Sequence, residues 1–329
     1  MIKKRLVEGF YLLLLLSPWG MLGDAYAQNY PNRPIHLVVS FAPGGASDLV
    51  GRVLQSKLGG FLGQPIIIDN KPGASGNIGL DYVAKAAPDG YTVYLGNIGA
   101  LAINPSLFQN LKINPLHDFI PITEVADFPG VLTVPQGFPP NNIAELTTLL
   151  KANPGKFNFA SPGSGSVNRL QAERFLKSID ASAVQIPYKG GAGAAAIGMV
   201  SGETQMMFVN ISSVREFIRA RKLKGLAITT TSRVPEFPNI PTVVEVGYPE
   251  LVGGSWTMLV VPAGTPKAIV NKLYQATMKT LSLPEIKENF EKQGAIVVAS
   301  KSPEAAKEFL SAEIERWGKV IKEVGASPD

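Results

Sequence analysis

The sequence predicts an α/β protein of two lobes, each a mostly parallel sheet flanked by helices, with the lobes joined by a two-crossing hinge. Short apolar runs rich in β-branched residues alternate with segments whose apolar residues recur at helical spacing. The chain has 329 residues, more than a single domain usually contains. Two long strand-like stretches, far apart in the sequence, lie where the chain would pass between lobes.

The N-terminal segment, residues 1–27, is typical of a signal peptide and precedes the folded part. A positive region at residues 3–5 is followed by an apolar run at residues 10–16. That run is shorter than the roughly 18 residues needed to span a membrane. We therefore expect cleavage after Ala27 and export to the periplasm. We also expect a mature protein that is not itself embedded in the membrane.

The first part of the mature chain alternates strand and helix. Three apolar runs are predicted as strands, at residues 35–41, 65–69 and 91–95. Between them, residues 49–58 and 78–86 place apolar residues at helical spacing. A Pro-Asp-Gly turn at residues 88–90 separates the second helix from the third strand.

The middle of the chain repeats this alternation. Strands are predicted at residues 157–161, 184–187, 205–209 and 226–230. Helices are predicted at residues 164–178, 192–200 and 213–222. A further helix is predicted to begin at Asn142, with Glu145 completing a capping box. Near the C-terminus, Ser302 is predicted to cap a long amphipathic helix over residues 303–324.

The two stretches at residues 122–134 and 255–261 are predicted to cross between the lobes. The first lobe would then comprise residues 28–126 together with 256–329, and the second lobe residues 127–255. Two crossings of this kind form a hinge. Ligands of such sheets bind beyond the carboxyl ends of the strands, so the predicted site lies between the lobes.

Composition excludes several classes of function. The absence of cysteine excludes a disulfide scaffold, a lipid-anchored lipoprotein, a thiol nucleophile and a thiolate metal site. The two histidines, His36 and His117, are not at metal-ligand spacing. The net charge of +5 is scattered along the chain rather than concentrated as in nucleic-acid-binding proteins. We expect no catalytic residue, no metal, no cofactor, no nucleic-acid partner and a monomeric state.

Two glycine-rich loops, one in each predicted lobe, connect a strand to a helix. The first reads Phe-Ala-Pro-Gly-Gly-Ala-Ser-Asp at residues 41–48, and the second Ser-Pro-Gly-Ser-Gly-Ser at residues 161–166. Ordinary turns have similar composition. Matched loops at helix N-termini, however, favour a shared anion site, because glycine admits close approach and first-turn amides are unpaired. The predicted ligand-binding residues are Phe41, Gly44, Gly45, Ala46, Ser47, Asp48, Gly163, Ser164, Gly165 and Ser166.

Tyr188 and Lys189 follow another predicted strand end. They form either an exposed turn or a phenol and an ammonium at the rim of the cleft, and we include both among the predicted ligand-binding residues. Residues 191–196 fit a loose dinucleotide-binding pattern, but the acidic residue expected about twenty positions later is missing. Close helix packing on small residues explains this segment instead.

Eight short segments occur in the order typical of one receptor family. They lie at residues 30–35, 41–48, 70–76, 87–92, 103–107, 187–191, 241–243 and 262–266. In this the chain resembles the extracytoplasmic solute receptors of tripartite tricarboxylate transport, the Bug or TctC-like family. The resemblance implies a periplasmic-binding-protein-like fold, with a carboxylate held by the amides of both loops and by ordered water. It also implies delivery to tripartite tricarboxylate-type membrane subunits, and a cleft-facing position for Asn97.

Three positions depart from the family pattern. Asn210 replaces a usual Asp, Arg169 replaces a frequent His, and Leu101 replaces a His found in many members. These departures are either drift at positions behind the binding residues or a change that makes the cleft less negative. A less negative cleft would favour a second carboxylate, to which Arg169 could make a planar two-point contact. The alternative is that Arg169 pairs with Glu173, four residues further on. Arg169 and Asn210 are included among the predicted ligand-binding residues.

The leading interpretation is a receptor that captures a small carboxylate metabolite for transport. A periplasmic sensor that passes its ligand state to a signalling kinase would use the same site, and neighbouring genes would separate the two functions. A hydrolase using Ser164 or Ser166 as nucleophile would need a positioned base, which the sequence does not offer.

Overall fold

The computed structural model describes residues 29–163, 165–188 and 190–328. The predicted signal peptide at residues 1–27 and the predicted site residues Ser164 and Lys189 lie outside the described residues. Within these ranges, no helix combines the length and the apolar character that membrane crossing requires.

The described strands are β1 (Ile35–Val39), β2 (Ile66–Asn70), β3 (Thr92–Asn97), β4 (Phe119–Asp127), β5 (Gly130–Pro135), β6 (Asn158–Ser161), β7 (Val184–Pro187), β8 (Met207–Asn210), β9 (Leu223–Ile228), β10 (Thr257–Pro262) and β11 (Ile296–Val297). The α-helices are α1 (Ala46–Leu62), α2 (Asn77–Ala84), α3 (Asn104–Leu107), α4 (Pro115–Asp118), α5 (Ile143–Ala152), α6 (Val167–Ser178), α7 (Gly191–Val200), α8 (Ile211–Arg219), α9 (Lys267–Ser282), α10 (Pro284–Lys292) and α11 (Pro303–Val324). The predicted alternation of strand and helix is confirmed.

The first lobe is built around a six-stranded sheet of order β11-β4-β10-β3-β1-β2. Strands from both ends of the chain meet in this sheet, because β10 lies between β3 and β4. Consecutive residues of β1 alternate between its two faces. Leu37 packs with α1 and α9 on one face, whereas Val38 packs with α2 and α11 on the other.

The second lobe uses strands β5 to β9 only. β8, β5 and β9 form one sheet, and β6 pairs in parallel with β7. A bridge between Phe159 and Met206 joins these two sheets. The lobe is therefore contiguous in sequence, whereas the first lobe is not.

The six-stranded sheet and the sheet of β8, β5 and β9 are less parallel than predicted, whereas β6 and β7 are parallel. β10 runs antiparallel to β3 and β4, and β5 runs antiparallel to β8 and β9. These two strands carry the chain into each lobe from the hinge. β10 therefore starts beside the end of β3, where Thr257 pairs with Asn97, and must run in the opposite direction.

The two crossings lie against each other. Ser255 N–H donates to Phe128 O at 3.0 Å, and Phe128 N–H donates to Ser255 O at 3.4 Å. The predicted continuous stretch at residues 122–134 is in fact two strands in different sheets, because Pro129 lacks an N–H for the ladder. The lobe boundaries at residues 126/127 and 255/256 stay a prediction.

Two predicted helix caps are confirmed. Asn142 Oδ1 accepts from Glu145 N–H at 2.8 Å at the start of α5. Ser302 Oγ accepts from Ala305 N–H at 3.1 Å at the start of α11. Each cap satisfies an amide that the first helical turn leaves without an intrahelical acceptor.

Candidate functional site

The first loop leads into α1 with Gly45 as its N-cap, and no side chain caps this end. The amides of Ala46 and Ser47 are in the first turn, where the helix supplies no acceptor and the helix dipole is positive. Ala46 is exposed, whereas Ser47 is buried. In this loop, the main-chain amides of Ala46 and Ser47 are therefore the donors best placed to bind an anion.

Asp48 holds the first loop in shape. Its carboxylate is buried and accepts hydrogen bonds from Gly44 N–H at 2.8 Å, Arg52 Nε at 2.8 Å and Asn70 Nδ2 at 3.0 Å. Burial raises the pKa of this carboxyl, but the bonds from Arg52, Gly44 and Asn70 outweigh burial and lower the pKa overall. The ionised carboxylate of Asp48 therefore stabilises the conformation of the first loop through these three hydrogen bonds.

Three predicted ligand contacts of this loop are corrected accordingly. The amide of Gly44 and the carboxylate of Asp48 bind each other. The amide of Gly45 donates to Ala42 O at 3.2 Å. The two amides are used as donors within the loop itself, and the carboxylate of Asp48 is an acceptor already engaged by its three donors. Gly44 has a φ of 84°, which favours glycine at this position.

The second loop is tied to the start of α6 through Ser166. Ser166 Oγ accepts from Arg169 N–H at 3.2 Å and donates to Gly163 O at 2.8 Å. Gly163 N–H in turn donates to Ser161 Oγ at 3.2 Å, and the φ of Gly163 is 129°. The hydroxyl of Ser166 is thus used as the cap of α6.

A turn at residues 74–77 of the first lobe lies between the two loops. A Cβ placed on Gly165 would lie 2.7 Å from Asn104 Oδ1 and 3.3 Å from Ser75 Cβ. A Cβ placed on Gly76 would lie 3.6 Å from Cζ of Phe41. The carbonyl of Gly165 also contacts the first lobe, since it would lie 2.8 Å from a Cβ on Gly99. Both loops therefore meet the same small group of first-lobe residues.

Asn104 is a site residue that the sequence interpretation missed. It is fully buried, and its Nδ2 donates to Ser75 O at 2.9 Å and to Asn77 Oδ1 at 2.7 Å. Among the described residues, Asn104 Oδ1 has no hydrogen-bond partner. The only available signal was that Asn104 and Ser75 lie in two of the family-like segments.

Polar side chains at strand ends complete the edge of the site. Asn97 ends β3, and its Oδ1 accepts from Ala100 N–H at 3.0 Å. Asn210 ends β8 and accepts from Asn168 Nδ2 at 3.5 Å. Both residues are half-buried, and their position at the edge of the cleft stays a prediction. Asn168, in the first turn of α6, was not predicted.

Tyr188 does not reach into the cleft. Its hydroxyl donates to Glu203 Oε2 at 2.7 Å. A Cβ on Gly198 would collide with the phenol oxygen, so the ring lies along α7 toward the end of that helix. Burial, together with the bond to Glu203, raises the pKa of Tyr188. The predicted phenol at the cleft rim is corrected to a contact within the second lobe.

Arg169 is also placed differently from its predicted role. Its side chain is 7% exposed, and its Nε donates to Glu173 Oε1 at 2.8 Å. Its Nη1 donates to Ser327 O at 2.8 Å, in the segment that follows α11. The contact with Glu173 is the alternative that the sequence left open. Leu101 is fully buried in an apolar cluster made mainly of first-lobe residues, so its side chain does not line the cleft.

The charged groups of the described ranges do not form a metal site. No group of three or more His, Cys, Asp or Glu residues within residues 29–163, 165–188 and 190–328 could hold a metal ion. The site is instead made of main-chain amides, glycines and uncharged polar side chains.

Comparisons with known proteins agree with this architecture. The profile of the family described as "Tripartite tricarboxylate transporter family receptor" matches residues 50–326. Protein BugT of Bordetella pertussis is 36% identical over 314 residues, which is 95% of this chain and 96% of BugT. Among solved structures, MatC from Rhodopseudomonas palustris with bound malate is 31% identical with a TM-score of 0.78, covering 89% of this chain and 100% of MatC. A second R. palustris protein, solved with adipate, is 31% identical with a TM-score of 0.82, covering 91% of this chain and 100% of that protein. The chain therefore belongs to the tripartite tricarboxylate transporter receptor family.

Proposed function

We propose that this protein is a periplasmic receptor that binds a small carboxylate between its lobes and delivers it to membrane subunits of the tripartite tricarboxylate type. One observation carries the proposal. Two helix N-termini, one from each lobe, begin at glycine-rich loops that contact the same first-lobe turn at residues 74–77. This arrangement can enclose an anion from both sides.

Main-chain donors are sufficient for useful affinity. Micromolar binding requires about 8 kcal/mol. Hydrogen bonds to a charged group contribute about 1.5–3 kcal/mol each, and a favourable helix terminus contributes up to ~2 kcal/mol. Three or four amides and two helix ends reach that range before the cost of association is subtracted. The proposed site therefore needs no cationic side chain.

The relatives indicate the chemistry to be tested first. MatC was solved with malate and another relative with adipate, and both ligands are dicarboxylates. The guanidinium of Arg169 is engaged by Glu173 and Ser327. A second carboxylate of the ligand would therefore be bound by main-chain amides and by side-chain amides at the edge of the cleft formed by the second lobe. Asn168 and Asn210 are the proposed contacts there.

The test is calorimetric titration of malate and adipate into the purified protein, together with native mass spectrometry for ligand retained from the cell. Gly165→Val is expected to abolish binding, because its side chain would strike Asn104 and separate the lobes. Gly137→Val is the matched control, since Gly137 is exposed, and a Cβ there meets nothing within 4 Å. Unchanged affinity in Gly165→Val would contradict the proposed site.

A further inference from the structure

Helix α6 of the second lobe is held at its start by the first lobe. Val167 and Leu170, both in its first turn, are buried in an apolar cluster whose other members come from the first lobe, including Leu101 and Trp317. α6 begins directly after the second loop. The position of that loop is therefore coupled to contacts that lie outside the cleft.

A second set of contacts joins α6 to the C-terminal end of α11. Arg169 Nη1 donates to Ser327 O at 2.8 Å, and Lys177 Nζ donates to Glu323 O. Arg174 Nε lies 3.8 Å from Glu323 Oε2. We call these three basic residues, together with Glu323 and Ser327, the C-terminal clasp.

The clasp has a clear physical origin. The last turn of a helix exposes carbonyl oxygens without intrahelical donors, and the negative end of the helix dipole lies there. Gly325, in the left-handed conformation, ends α11 and turns the chain toward α6. Basic side chains from the neighbouring helix then supply donors to the exposed carbonyls.

Arg169 connects the clasp directly to the second loop. Its main-chain amide donates to the capping hydroxyl of Ser166 at 3.2 Å, while its guanidinium donates to Ser327 O. One residue thus links the C-terminal segment of the first lobe to the proposed anion loop of the second. Its side chain is nearly buried, so these bonds are little screened by solvent.

We infer that Arg169 is a positioning residue, which fixes the second loop for ligand binding by holding the C-terminal segment through Ser327. The consequence for affinity rests on the proposed function, whereas the loop's order can be measured without ligand. Losing the bond to Ser327 frees the first turn of α6, so the loop amides exchange more readily with solvent.

The experiment is hydrogen–deuterium exchange of the ligand-free protein, followed in peptides that cover residues 163–172. The variants are Arg169→Gln, a truncation that removes residues 327–329, and the two combined. We expect each single change to speed exchange there by about tenfold or more. The combined variant should exchange no faster than the faster single variant, because both changes remove the same contact.

Arg233→Gln is the matched control. Arg233 Nε donates to Glu245 Oε1 at 2.9 Å, and Arg233 Nη1 donates to Pro238 O at 2.7 Å. Like Arg169, Arg233 therefore binds one carboxylate and one carbonyl, but neither belongs to the C-terminal segment. Exchange in residues 163–172 should stay within about twofold of the wild type in this variant. Arg169→Lys, which keeps the charge and one donor nitrogen, should recover part of the protection.

Several outcomes would overturn the inference. Lower thermal stability of Arg169→Gln with unchanged exchange in residues 163–172 would show a merely structural role. Additive effects of the substitution and the truncation would show that the two act separately. In titrations with malate and adipate, both single changes should weaken any wild-type binding by about tenfold. If the wild type binds neither, the proposed function loses support, while the exchange result still decides the role of Arg169.

Discussion

Asp48 shows how a negative side chain can serve a loop that is proposed to bind anions. Its carboxylate accepts three hydrogen bonds and is buried. The sequence analysis placed it among the ligand contacts as the last residue of the first glycine-rich loop. Only the structure shows that the acid turns back to Gly44 and Asn70, since contacts over 22 residues leave no local pattern.

Asp48→Ala is expected to lower the free energy of unfolding by about 1.5–3 kcal/mol, the scale of hydrogen bonds to a charged group. The folded-state pKa of Asp48 is lowered, so its contribution is present above the ordinary carboxyl pKa and is lost as pH falls through the folded value. Urea unfolding at pH 7 and at pH 3 measures both effects. The wild type and the variant should differ less at the lower pH, and an equal difference at both would refute the assignment.

Asp127 illustrates the opposite case, at the end of the crossing strand β4. Its Oδ1 is buried without a hydrogen-bond partner among the described residues, and it packs against Gly254 of the other crossing. Burial, and then the charges of Glu124 and Glu313, raise the pKa of Asp127 to about 7. The proton is therefore bound more tightly in the folded state than in the unfolded chain.

This pKa shift predicts how the stability of the crossing depends on pH. A raised carboxyl pKa stabilises the fold below the ordinary value near 3.8, and this contribution is lost as pH rises through about 7. Asp127→Asn removes the titration, so it should raise the melting temperature more at pH 8 than at pH 5. Calorimetric scans of both proteins from pH 5 to 8 provide the measurement. Parallel curves would contradict the prediction.

At the scale of elements, periodicity predicted where strands and helices lie but not where all of them begin. β7 and α11 have the predicted bounds, because polar or proline residues delimit their apolar patterns. α6 begins at Val167 rather than residue 164, since Ser166 caps it. Tertiary packing decides the direction of β5 and β10. It also decides that residues 74–77 contact both loops. Apolar spacing carries no information about either.

The whole molecule contains a second space between its lobes. A cavity of about 1230 Å³ is lined by Asp127 and Gly254 of the crossings, and by parts of α8, α9 and α10. It lies beside β11 and β4, whereas the two loops follow β1 and β6. In the six-stranded sheet the cavity and the first loop therefore lie toward opposite edges, with the crossing strands β4 and β10 on the side of the cavity. Closing one side of such a hinge is expected to widen the other.

Filling this cavity should then favour the closed form. Ser282 ends α9 at the cavity, and Ser282→Trp is expected to lower the radius of gyration of the ligand-free protein toward the value with ligand. Ser178→Trp is the control, because Ser178 ends α6 and makes a similar hydroxyl bond but does not line the cavity. Small-angle scattering measures both. Expansion of Ser282→Trp, or no change, would contradict this hinge geometry.

The contact between Arg169 and Ser327 also bears on how the protein can be handled. An affinity tag or fluorescent reporter fused close after Ser327 would add its bulk next to the carbonyl that Arg169 binds. The signal of such a biosensor would depend partly on how the fused reporter disturbs the contact between Arg169 and Ser327, and not on ligand binding alone. A reporter inserted in the exposed turn at Gly137 would leave that contact intact.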